Sequence, residues 1–139
     1  MLSFVFLPYR PPTFWRPRFI KGGALTRHFN PKEFVCPCCG IVKINPHLFA
    51  VLEFIRLYFK KPVYITSGYR CELYNKRVGG RLKSKHLLGD ACDIYIEGIA
   101  PEQIYDLLNL TFPKTYGIGL YETFVHVDVR PNRARWMED

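Results

Sequence analysis

The sequence has no apolar run that could span a bilayer. Its first apolar stretch, Met1 to Leu7, is ended at once by Pro8, Arg10, Pro11 and Pro12, far short of the roughly 20 residues a spanning helix needs. No positive residue precedes that stretch, so it is not expected to act as an export signal. Internal repeats and low-complexity tracts are absent, which excludes solenoids. The five cysteines are an odd number, which argues against a complete disulfide framework. Acidic residues are few: 12 Asp and Glu face 20 Lys and Arg, giving a net charge of +8. Such a balance suits an anionic partner such as a cell wall, a membrane surface or nucleic acid. The basic residues are spread along the chain, so a nucleic-acid role is not expected.

What is present describes one globular domain. The chain has 139 residues, 48% of them hydrophobic and 16% aromatic, enough to bury a core. Residues 1–24, rich in Pro, Arg and aromatics, read as an N-terminal arm, and residues 25–139 as the domain. A turn and a short helix are expected near residues 26–34. Asn45 is a good N-cap, Pro46 suits the first helical position, and Leu48, Val51, Leu52, Ile55 and Tyr58 or Phe59 recur at helical spacing up to about Lys60. Val63 to Thr66 and Ala91 to Ile96 read as strands, with a turn or two of helix from Glu72 to Arg77 between them. A mobile basic loop is expected from Arg81 to Lys85. Pro101 opens a helix that turns Ile104, Leu107 and Leu108 inward. Tyr116 to Tyr121 and Phe124 to Val129, joined by Glu122 and Thr123, have the spacing of a β-hairpin. Without βαβ alternation, the fold class is α+β with a mainly antiparallel sheet and helices packed on it.

Strand alternation exposes the chemistry. Val125, Val127 and Val129 share one face of their strand, and Phe124, His126 and Asp128 the other. Likewise Cys92, Ile94 and Ile96 oppose Ala91, Asp93 and Tyr95. A carboxylate in an apolar strand needs a partner. Two imidazoles and one carboxylate, His86, Asp93 and His126, would form a three-ligand zinc set with a fourth position left for water. Gly89 and Ala91 are small enough to let the backbone pass close to such an ion. Spacing alone leaves this reading level with an ordinary loop entering an ordinary strand.

The pattern S-x-H-x-x-G-x-A-x-D, carried by Ser84, His86, Gly89, Ala91 and Asp93, resembles the signature of the zinc D-Ala-D-Ala carboxypeptidases and related peptidoglycan endopeptidases, in their small single-domain bacterial and phage branch. F-V-H-V-D-V at 124–129, I-T-S-G-Y-R at 65–70 and V-G-G at 78–80 match in the same order, so the resemblance covers about residues 25–136. It implies a hedgehog/DD-peptidase fold and a zinc cofactor held by His86, Asp93 and His126. It also implies a peptidoglycan stem-peptide or cross-link substrate, cut by a carboxypeptidase or an endopeptidase such as a phage endolysin. Arg70 is implied in binding the substrate's carboxylate or carbonyl and is expected to act catalytically by stabilising the developing oxyanion, with Tyr69 and Ser84 as further substrate-binding candidates. Many relatives carry an acidic base three residues before the last zinc histidine, where this chain has Thr123. Asp128 is therefore expected as the base or as the group that orients a ligand imidazole, with Glu122 in reserve. The alternative is a non-catalytic zinc-containing binding domain of the same fold. His28 and His47 are expected to be structural. Cys36, Cys38 and Cys39 before Gly40 resemble half of a zinc knuckle, but no second pair follows. Cys71 is a donor whose approach the sequence does not show, so reduced, partly buried thiols are the expectation.

Overall fold

The computed structural model describes residues 27–139. The expected N-terminal arm, residues 1–24, lies outside the described residues. The described residues contain every element read from the sequence, in order, with a 3-10 turn at Lys85–Leu88 and a fifth strand added. A 3-10 turn at Pro31–Phe34 is closed by a capping box: the Asn30 side chain accepts from the Lys32 amide, and Glu33 reaches back to the Asn30 amide. Helix α1, Pro46–Phe59, begins at Asn45, whose side chain accepts from the His47 amide, and stops at Lys60 in the left-handed conformation. Leu48, Phe49, Val51, Leu52 and Ile55 form its buried stripe. At the helix end Phe59 packs against the core, whereas Tyr58 is exposed. Helix α2 spans Glu72–Arg77 and helix α3 Pro101–Thr111. In α3, Ile104, Tyr105 and Leu108 are buried and Leu107 is only half-buried.

The five strands are β1 Tyr64–Ser67, β2 Ala91–Tyr95, β3 Gly117–Leu120, β4 Val125–Asp128 and β5 Ala134–Met137. They form one sheet in the order β1-β2-β4-β3-β5. Its pairings are antiparallel except for β3 and β5, which run parallel. Strand β5 was not foreseen in the sequence. The β3–β4 connection is the expected two-residue turn, with the Tyr121 amide bonded to the Phe124 carbonyl across it at 3.1 Å. Cys92, Ile94, Ile118, Val125 and Val127 bury the aliphatic face of the sheet in one core with the stripes of α1 and α3. Truncating one of these large aliphatic side chains, such as Leu52 to Ala, would cost about 2–5 kcal/mol.

The opposite face carries the polar residues, and it too is covered. Strand β4 is buried at every position. At the β1–β2 pairing the register shifts between Ile65 and Ser67. This irregularity re-aims the strand end and sets Ser67 opposite Asp93. The expected basic loop runs exposed through Arg81, Leu82 and Lys83 and ends at Ser84, whose hydroxyl accepts from the His86 amide and caps a 3-10 turn at Lys85–Leu88. Gly89 ends that turn at φ 74°, and a Cβ there would strike the Lys43 backbone. Its small size therefore serves a left-handed cap and a close chain crossing, rather than the passage of backbone beside an ion.

Candidate metal centre

Three elements bring His86, Asp93 and His126 together: the 3-10 turn at Lys85–Leu88, β2 and β4. Asp93 and His126 are direct partners in the antiparallel register. The donors converge tightly. His86 Nε2 lies 3.2 Å from Asp93 Oδ1 and 3.2 Å from His126 Nδ1, and His126 Nδ1 lies 3.0 Å from Asp93 Oδ1. All three residues are buried, at 2, 6 and 7% exposure, so water cannot screen their mutual repulsion.

The far side of each imidazole fixes its tautomer. His86 Nδ1 sits 2.8 Å from the Gly68 carbonyl oxygen, which can only accept, so this nitrogen carries hydrogen and Nε2 is left bare. His126 Nε2 sits 2.8 Å from Asp128 Oδ2 and donates to it, leaving Nδ1 bare. In the neutral tautomers, two nitrogen lone pairs and a carboxylate oxygen therefore face one another with no hydrogen between them. Such a set is stable only around a positive charge. A divalent cation fits that requirement, and neutral imidazole with carboxylate is a zinc-type donor set. Without an ion, the charge comes from a proton. Burial opposes charging of His126, but the Asp128 and Asp93 carboxylates outweigh it and raise its pKa. Burial would likewise push Asp93 up, yet its bonds to His126 and His86 hold it well below the usual carboxylate range.

A second layer of residues holds the first. Asp128 is fully buried. Besides His126 it accepts from Arg130 Nε and Nη2, both at 2.7 Å, and from the amides of Gly117 and Arg130, both at 3.2 Å. Burial opposes its charge, but these donors keep its pKa far below the ordinary value. This is the carboxylate–histidine arrangement that orients metal ligands. The Trp136 ring, from β5, lies 5.0 Å from the His126 ring and faces the Arg130 guanidinium at 5.5 Å. Arg70 donates from Nη2 to Asp93 Oδ2 at 3.1 Å and from Nε to Ser67 Oγ at 2.8 Å, with a longer contact to Asn75 at 3.5 Å.

The structure thus joins the three expected ligands, Asp128 and Arg70 in one connected network. Tyr69 is buried and packed beneath Lys43, whose ammonium is 5.3 Å from its ring centre. Ser84 acts as the cap that sets His86. Glu122 is exposed on the β3–β4 turn. His28 pairs with Glu53 at 2.7 Å, and the His47 amide lies in the first turn of α1, both outside the cluster. Sequence reading missed Arg130, Trp136 and Asn75. Arg130 was findable, because it follows Asp128 at the same two-residue step that links His126 to Asp128. Trp136 depends on β5, and nothing local marks Asn75.

A buried His–Asp–His donor set with a carboxylate-oriented imidazole is the kind of centre a metal-assisted hydrolase uses. The comparison with known sequences agrees: residues 27–128 match the family model described as peptidase M15, and the chain belongs to that family. It is 38% identical over 103 residues to the peptidoglycan L,D-endopeptidase MepK of Escherichia coli strain K12 and to the protein of the same name from Shigella flexneri. Each match covers 67% of this chain and 55% of the relative, so the chain spans about half the length of the curated relatives it matches.

Proposed function

We propose that the chain is a zinc-dependent peptidoglycan endopeptidase that hydrolyses a peptide bond in stem peptides or their cross-links. The observation that carries this reading is the convergence of three bare donor atoms, His86 Nε2, Asp93 Oδ1 and His126 Nδ1, at 3.0–3.2 Å. The relatives' activity favours an internal cut over trimming of a terminal D-alanine. The net charge of +8 would hold the protein on an anionic wall.

His86, Asp93 and His126 would hold the ion. When bound there, zinc supplies Lewis-acid polarisation of the scissile carbonyl and lowers the pKa of a water toward neutrality. The remaining work falls to the chain. Asp128 holds the Nε2–H of His126 and so keeps Nδ1 free of a proton. Its acceptor sites are filled by Arg130, His126 and two amides, so it is a positioning residue rather than the base. Glu122, the exposed carboxylate on the turn that leads into β4, is then the reserve proposed to take the water proton and pass it to the leaving amine. Arg70 steadies Asp93 through Nη2, and its unused N–H groups bind a substrate carboxylate or carbonyl.

The test is digestion of purified peptidoglycan followed by mass spectrometry of the released peptides. New termini at an internal L,D bond are the expected result. Release of D-alanine alone would replace the endopeptidase with a carboxypeptidase. Zinc bound without any cleavage would leave a binding domain of the same fold.

A further inference from the structure

The sequence left Cys36, Cys38 and Cys39 as half of a knuckle lacking its partner. The fold supplies that partner. Cys71, 32 residues beyond Cys39 in the numbering, arrives at the start of α2, and the Sγ atoms of Cys36, Cys39 and Cys71 all lie within 4.8 Å of one another. Zinc–sulfur bonds of about 2.3 Å in a tetrahedron place sulfurs about 3.8 Å apart, so an ion fits among them with a small contraction. Cys38 is exposed and lies outside that converging set; as the knuckle's remaining thiol it is the one proposed for the fourth position.

The backbone is arranged for thiolates. The Cys71 amide donates to Cys36 Sγ at 3.4 Å. Gly40, at φ 69°, turns the chain so that its own amide bonds the Cys36 carbonyl at 2.9 Å. The Tyr74 amide donates to Cys71 Sγ at 3.5 Å. Amides aimed at sulfur stabilise negative charge there and do little for a neutral thiol. Cys36 is fully buried while Cys38 and Cys39 are exposed, so the cluster has a closed floor and an open mouth through which an ion can enter.

We propose that Cys36, Cys39 and Cys71, completed by Cys38, bind a second zinc ion with a structural role. Binding releases the thiol protons and leaves a thiolate-only site, closed to substrate. Its position gives it a purpose. The knuckle follows Phe34, whose carbonyl accepts the Tyr69 amide at 2.9 Å, and the Arg70 amide bonds the His86 carbonyl at 3.2 Å. An ion tying residues 36–39 to residue 71 therefore clamps the loop that carries Arg70 to Asp93. The proposal does not depend on the peptidase reading, since the two sites share no residue.

The test is elemental analysis and cobalt substitution of the full chain, purified without oxygen. Wild type should hold two zinc ions per chain, His126→Ala one and Cys71→Ser one. Cobalt-loaded wild type and His126→Ala should both show thiolate-to-cobalt charge-transfer absorption in the near ultraviolet, and Cys71→Ser should not. If Cys71→Ser does not fold, the His126→Ala spectrum decides alone. A cobalt spectrum lacking that absorption while all thiols count as reduced would overturn the proposal. So would a disulfide among these cysteines in the freshly purified chain. A wild type that holds only the thiolate-bound ion, with His126→Ala unchanged in metal content, would count against the peptidase centre and leave the cysteine site standing.

Discussion

Replacing Asp128 with Asn separates a positioning carboxylate from a catalytic base. The change keeps shape and removes charge. Asp128 has no exposure and accepts five hydrogen bonds, three of them from His126 and the Arg130 guanidinium at 2.7–2.8 Å. An amide cannot accept all of them. If its nitrogen faces His126 it donates to Nε2, and the ring hydrogen moves to Nδ1, into the space shared with Asp93 and His86. If its oxygen faces His126, the amide nitrogen opposes the guanidinium donors. Loss of charge-assisted bonds of this kind costs about 1.5–3 kcal/mol each, so the fold should weaken by a few kcal/mol. Metal affinity should fall about 10- to 100-fold, the usual effect of removing a residue that orients a ligand imidazole. The assay is zinc competition against a chromophoric chelator, with turnover measured at limiting and at saturating zinc. The expected result is weakened zinc binding, with most of the turnover restored when zinc saturates. Unchanged zinc affinity with turnover abolished at saturation would refute the reasoning and make Asp128 the base.

Three further outcomes follow from the same geometry. Glu122→Gln should reduce turnover by about 100-fold or more, the usual scale of general-base catalysis, with metal content unchanged because Glu122 is exposed and outside the donor cluster; full activity would remove it from the mechanism. Gly117→Ala should destabilise the chain by about 1–3 kcal/mol, because the new Cβ would collide with the Asp128 carboxylate and Arg130 Nε; an unchanged urea midpoint would contradict this packing. Asp93 and Asp128 are both held below the ordinary carboxylate value, so in the ion-free chain their stabilisation is present above an unfolded pKa of about 3.9 and is lost as pH falls through their depressed folded values. Denaturant midpoints taken downward from about pH 6 should fall steeply near and below pH 4, and less steeply in Asp128→Asn.

Much of the candidate metal centre was legible because period-two alternation is a local property. His126 and Asp128 could be set on one face of β4, and Asp93 on the polar face of β2, from spacing alone. Capping was equally local: Asn45, Pro46 and the apolar stripe fixed α1 to within a residue. The residues that escaped depend on contacts distant in sequence. Cys71 meets Cys36 only because α2 starts beside the knuckle. Trp136 reaches His126 only because β5 pairs in parallel with β3. The partners of Asp128 include the Arg130 guanidinium, which grips both carboxylate oxygens. Ser84 accepts from the His86 amide, a local capping bond that leaves its O–H free to donate.

The central claim is that His86, Asp93 and His126 form a metal centre that hydrolyses peptidoglycan peptides. The most direct measurement is cleavage of purified peptidoglycan by one preparation before chelation, after chelation and after zinc is returned, with His86→Ala as the companion. The account predicts activity lost on chelation, restored by zinc in wild type and absent throughout in His86→Ala. Cleavage that persists in the chelated chain, or in His86→Ala, would contradict it.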